Sequence, residues 1–221
     1  MNYNKFCSKL IKCKTCLRLV KFRKEIVSKK RKSYKNQSYW GKPVSGFGDL
    51  NAKIILIGLA PAAHGATRTG RVFTGDKSSD FLFQCLYEAN LSNQPYSVNK
   101  NDGLNLKNLY ITLALKCVPP QDKPSSEELR NCSSYFDQEL RFLKKKKVII
   151  TLGKIAFDAC IKFFKENYNI TGSFKFSHGV KYKINDITVL GCYHPSPRNV
   201  NTKRINKKMM VNLFNKAKKL G

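Results

Sequence analysis

Two kinds of apolar pattern alternate along this chain. The first is the short continuous run: "KIILIG" at 53–58, "NLYITLALKC" at 108–117, "KVIITLG" at 147–153 and "ITVLGCYHPSP" at 187–197. Runs of this length, bounded by Gly or Pro, predict buried strands. The second pattern recurs every three to four residues. From Asp80 to Asn90 it places Phe81, Leu82, Cys85, Leu86 and Ala89 on one helical face. It returns in "EELRNCSSYFDQELRFL", where Ser125 and Ser126 precede early acids as a capping sequence does, and in "KIAFDACIKFF". It ends the chain in the basic amphipathic "RINKKMMVNLFNKAKKL". A short helix opens the basic stretch 17–39, and "WGKPVSGFGD" reads as a loop.

Strands alternating with helices predict the α/β class, with a mainly parallel sheet covered on both faces. Ligands of such sheets bind beyond the carboxyl ends of the strands. Three loops follow predicted strands there: "GLAPAAHG", "KCVPP" and "CYHPSPRN". No internal repeat or domain boundary interrupts the pattern, so 1–221 reads as a single domain. Its 221 residues suffice for one full core.

Charge changes the picture. Forty-two Lys and Arg stand against 14 Asp and Glu, a net +28. Such an excess fits a polyanionic partner, because each neutralised phosphate releases counterions. An AT-rich genome, which enriches Lys and Asn throughout, is the competing account. No run approaches the roughly 18 apolar residues of a membrane span, and the first residues lack the apolar core of a secretory leader. A cytoplasmic monomer that binds nucleic acid is the expectation.

Eight cysteines without a secretion signal point to metal or redox chemistry over disulfides. Cys13 and Cys16 form C-x-x-C, and Cys117 and Cys132 form a looser pair. The set suits zinc or a [4Fe–4S] cluster, and spacing leaves both open, together with unliganded thiols. Cys85, Cys160 and Cys192 fall in apolar patterns and read as core, while Cys7 is ambiguous. His194, ending a strand before a Pro-stiffened turn, can donate a hydrogen bond to an oxygen gaining negative charge, with Arg198 and Asn199 near enough for phosphate. Gly58, Gly65 and Gly70 permit close backbone approach, Arg68 and Arg71 add positive charge, and Phe73 offers a face on which a base can stack. Neither the phosphate-binding loop pattern nor the dinucleotide fingerprint is present.

"GLAPAAHGATRTGRVFTGD" together with "CYHPSPRN" resembles the two signature motifs of the family 5 uracil-DNA glycosylases, the iron–sulfur type of prokaryotes. "WGKPVSGFGD", "DGL" at 102–104, "KCVPPQDKPSSEE", "LGKIAFDA" and "SHG" at 177–179 extend the likeness over nearly the whole chain. The resemblance implies a three-layer α/β/α sandwich and a [4Fe–4S] cluster on Cys13, Cys16, Cys117 and Cys132. It implies hydrolysis of the N-glycosidic bond of uracil in DNA, with hypoxanthine and xanthine as further substrates. A non-catalytic module that senses damaged or single-stranded DNA is the alternative. His194 and backbone N–H groups from Gly58 and Leu59 to Ala60 would then stabilise the departing base anion. Phe73 would stack on the flipped base, and Ser196, Arg198, Asn199 and Arg68 would contact base or DNA. Ala60 occupies the place where related enzymes carry an Asp or Asn for water, so the bond must largely break before water attacks. Leu113 stands where related families carry an Asn, which implies a looser pocket. Thr67 stands where relatives often carry Asn or Asp. Asp76, the motif's one acid, reads either as a catalytic group or as the cap of a helix starting near Ser78.

Overall fold

The computed structural model describes residues 1–221. The apolar runs become β2 (Ile54–Gly58), β3 (Leu109–Leu113), β4 (Val148–Leu152) and β6 (Ile187–Cys192), joined by the short edge strands β1 (Phe47–Gly48) and β5 (Lys181–Ile184). The order is β1-β3-β2-β4-β6-β5, with the four inner strands parallel and both edges antiparallel. The inner strands of such a sheet are apolar on both faces because helices cover both. Ile54 and Leu56 of β2 join the core beneath α4 (Lys77–Glu88) and α8 (Lys207–Leu220). Ile55 and Ile57 join the core beneath α5 (Ser126–Phe142) and α6 (Lys154–Tyr168). The result is the expected three-layer sandwich.

Cys85, Cys160 and Cys192 are buried in these cores, as their patterns predicted, and burial pushes the Cys85 thiol up to about 12. Helix α4 starts three residues before the predicted boundary. The Asp76 side chain accepts from the backbone N–H groups of Ser78 and Ser79, and Ser79 completes a capping box. Phe83, outside the predicted apolar face, is fully buried as well. Ser125 caps α5 in the same manner with Glu128.

Two elements carry too little signal for sequence reading. Helix α1 (Tyr3–Leu10) buries only Phe6 and Leu10. β5 exposes Lys181 and Lys183, the charges that blunt a sheet edge. β3 also stops earlier than its apolar run: Ala114 and Leu115 still donate to the carbonyls of Gly58 and Leu59, but the chain bends there, and the Lys116 carbonyl accepts from the N–H of Val44. No helix is long and apolar enough to cross a membrane.

Candidate active site

Two of the three loops converge, and Leu113 and Asp122, on either side of the third, join them. A cavity of about 340 Å³ opens at the carboxyl ends of β2, β3 and β6, within the range of small-ligand sites. Leu59, Ala60, Pro61 and Ala62 line it from the loop after β2, Leu113 from the last position of β3, and His194, Ser196 and Pro197 from the loop after β6. Phe73, Asp76 and Ser78 close another side. The backbone N–H groups of Leu59 and Ala60 have no hydrogen-bond partner within the protein. Gly58 lies behind the wall: a Cβ there would stand 2.8 Å from the Phe73 ring and 2.9 Å from Leu113. Only glycine allows that approach.

Phe73 is held at φ +47, a left-handed conformation that costs a bulky residue on the order of 1–3 kcal/mol. The surrounding polar contacts over-determine it. Arg71 donates to Thr74 Oγ1 (3.0 Å), Ser97 Oγ (2.8 Å) and Asp102 Oδ2 (2.7 Å); Arg71, Thr74 and Ser97 are buried, and the Asp102 side chain is nearly inaccessible. Burial alone would raise the Asp102 carboxyl. The Arg71 guanidinium and the N–H groups of Val98 and Leu104 outweigh it and hold the pKa down to about 2.

His194 keeps part of its surface toward the cavity, with its ring centroid 6.0 Å from that of Phe73. Desolvation of the rest of the ring pushes its pKa down to about 4, so the imidazole is neutral at pH 7. Its backbone carbonyl accepts from Asn199 Nδ2 at 2.9 Å, and the Asn199 N–H donates to Ser196 Oγ. Asn199 therefore braces the histidine loop where a DNA contact was expected. Arg198 is exposed on the short α7 (Pro197–Asn201) and is no part of the cavity wall.

Arg68 corrects the sequence reading more sharply. It is 8% exposed, and its side chain donates to His64 O, Gln37 Oε1 and Gly75 O at 2.7, 2.6 and 2.9 Å. A guanidinium engaged in this way braces the loop and does not reach the cavity. Thr67 is buried with an unpartnered hydroxyl, also outside the cavity wall. Asp76 both caps α4 and lines the cavity. Its Oδ1 is taken by the cap, its Oδ2 accepts no hydrogen bond, and burial raises its carboxyl above the ordinary value. Sequence reasoning passed over Asp122, which lines the same cavity. It is exposed, its carboxylate has no partner in the protein, and it follows Gln121 in a pair of left-handed residues (φ +54 and +57). Its signal was an acid placed between the prolines of "PPQDKP".

The four cysteines of the two predicted pairs also meet. Cys13 and Cys16 precede α2 (Leu17–Ser28), Cys117 follows β3, and Cys132 sits in α5; all four line one narrow cavity. Burial pushes the Cys117 and Cys132 thiols up to about 12 and about 11, and each is raised further by the neighbouring thiols. No group of three His, Cys, Asp or Glu side chains is arranged for a single metal ion. Arg23, 7% exposed, donates from Nη2 to Cys13 O at 3.0 Å and leaves Nη1 buried without a partner. Arg18 clamps Glu128 with two bonds of 2.7 and 2.6 Å, tying α2 to α5 across this site.

Comparison with known proteins gives one answer. The family model for the uracil DNA glycosylase superfamily matches residues 45–218. The chain is 42% identical to a type-5 uracil-DNA glycosylase of Pyrobaculum aerophilum, over 97% of this chain and 92% of that protein. It is 41% identical to a type-5 uracil-DNA glycosylase of Thermus thermophilus, over 100% of this chain and 99% of that one. A type-4 uracil-DNA glycosylase of Sulfurisphaera tokodaii is 29% identical over 80% of the chain and 74% of that protein.

Proposed function

The chain belongs to the type-5 family of the uracil-DNA glycosylase superfamily, and on that premise we propose that it excises uracil from DNA by hydrolysing the N-glycosidic bond. One observation carries the reading: neutral His194, the Phe73 ring and the unpartnered N–H groups of Leu59 and Ala60 belong to one cavity. A base in duplex DNA must leave the stack to be reached, at a cost of a few kcal/mol that is smallest at a mismatch. Phe73 supplies the face against which the extruded ring packs. As the bond to the sugar breaks, the base gains negative charge and the sugar becomes cationic. A neutral imidazole N–H and backbone N–H groups stabilise that anion more than the intact nucleotide, which is the condition for catalysis. Asp76 and Asp122 are the carboxylates of the cavity, available to oppose the sugar's cation and to orient water.

Leu113 presents a purely apolar wall, and about 340 Å³ leaves room for a purine; hypoxanthine and xanthine are proposed as further substrates on that ground. The four thiols form a soft donor set suited to a [4Fe–4S] cluster, and the unpartnered Arg23 Nη1 supplies a buried cation for its negative charge. Cys13, Cys16, Cys117 and Cys132 would hold it, and its role would be to join the N-terminal arm to α5. The protein is proposed to act as a cytoplasmic monomer on DNA.

The test is base release by anaerobically purified protein from duplexes carrying one uracil or one hypoxanthine, read as alkali-labile sites, with iron and acid-labile sulfide measured on the same sample. Release of uracil supports the enzyme, and release of both bases supports the open pocket. Intact folding with no release from either duplex overturns the enzymatic reading in favour of a DNA-binding module.

A further inference from the structure

The basic stretch beside the cavity has no role in the chemistry above. After α2 the chain runs through Lys29, Lys30, Arg31 and Lys32 into a turn of 3-10 helix (Lys32–Tyr34) and on to Lys35. Ser28, Lys29, Lys30, Lys32 and Lys35 surround one open concavity with no acid or apolar side chain in its lining. Glu25 is the one carboxylate paired here, and it pairs with Lys29. The Lys30 ammonium is held by the Gln37 carbonyl at 2.8 Å. Arg31, Lys32 and Lys35 are exposed, and their side chains make no hydrogen bond or ion pair. Converging like charges repel one another, and a row of phosphates relieves that repulsion.

The stretch is rigidly fixed to the cavity's first loop. Arg68 lies 3.9 Å from the centre of the Tyr34 ring and donates to Gln37 Oε1. Tyr39 OH bonds His64 Nδ1 at 3.0 Å, and the N–H groups of Trp40 and Gly41 donate to the carbonyls of Arg68 and Thr67. The same Arg68 grips Gly75 O, next to Asp76 in the cavity wall. Arg31 lies close enough to His64 to help depress its pKa, second to burial. His64 is two residues from Ala62, which lines the cavity.

We propose that Arg31, Lys32 and Lys35, with the lysines around them, form a docking track for the DNA phosphate backbone, held in register with the base cavity by the Arg68 clamp. The partner is the nucleic-acid strand that carries the extruded nucleotide, so the inference rests on the glycosylase reading. Residues 28–35 lie in the arm that precedes the 45–218 segment matching the superfamily.

The test compares the full-length wild type with the triple variant Arg31→Gln/Lys32→Gln/Lys35→Gln, and with the control Lys181→Gln/Lys183→Gln on the edge strand β5. Affinity for a uracil-containing duplex is measured against salt. Losing three phosphate contacts lowers the slope of log K on log salt by about 2.7. Between 50 and 200 mM salt the wild type then loses roughly 40-fold more affinity than the triple variant. The control keeps the wild-type slope. A triple variant with the wild-type slope, or a control that shifts as much, overturns the track. Excision by the wild type is scored in parallel: without it the glycosylase reading itself fails, whereas normal excision with an unchanged slope removes the track alone. Circular dichroism of the triple variant establishes that its fold is intact.

Discussion

In the proposed reaction His194 combines two requirements that conflict in water. It must donate a hydrogen bond to a developing anion, yet a protonated imidazole at rest would bind anions before the bond breaks. Burial settles this by pushing its pKa down to about 4. His194→Ala is expected to slow single-turnover excision by about a hundredfold or more, the scale of losing one donor to a developing anion. The wild-type rate should carry no inflection near pH 6.5. Single-turnover rates across neutral pH check both, and a rate following an ordinary histidine titration would mean that the cationic form acts. The residue's place at a strand end was legible in "CYHPSPRN"; its protonation state was not, because desolvation depends on what surrounds the ring. Arg68 shows the reverse case. The sequence offers a cation in a glycine-rich loop, and three acceptors brought from separate segments turn it inward.

At the scale of elements, β3 and α5 are joined by a buried network. The Glu139 carboxylate accepts from Gly46 N (2.8 Å), Tyr110 OH (3.0 Å), Thr112 Oγ1 and Lys116 Nζ (2.5 Å), with Lys116 and Glu139 essentially inaccessible. Tyr3 of α1 extends it through Tyr110 OH. Lys116 precedes Cys117, and its N–H donates to Cys132 Sγ at 3.3 Å, so the network lies directly under the thiol site. Removing one partner of a buried pair leaves the other charge uncompensated. Glu139→Gln is expected to cost about 3–5 kcal/mol in denaturant unfolding. A loss below about 1 kcal/mol would mean that Lys116 finds another partner. Sequence patterning predicted β3 and α5 separately. The polar bond between them was invisible, since nothing local to Lys116 marks it as buried.

Across the whole molecule, His64, His178 and His194 all have pKa values lowered, with burial the leading cause. The unfolded chain takes up protons near pH 6.5, while the folded chain resists until lower pH. Stability from these groups is therefore full above about 6.5 and is lost as the pH falls towards 4. Thermal unfolding of wild type and His194→Gln should differ by a constant amount above pH 7, and the wild type should lose ground relative to the variant between about pH 6.5 and 4. A difference independent of pH would show that His194 titrates alike in both states. By itself the sequence determined the α/β class, the strand ends around which the cavity opens and the two cysteine pairs, because apolar period, turn chemistry and short motifs are local properties. Tertiary structure alone decided which carboxylates reach the cavity, that Arg68 and Asn199 brace it, that four thiols from three segments meet, and that an arm of lysines stands beside the base cavity. Those outcomes depend on contacts between residues far apart in the chain, and burial and charge pairing are set only once such contacts exist.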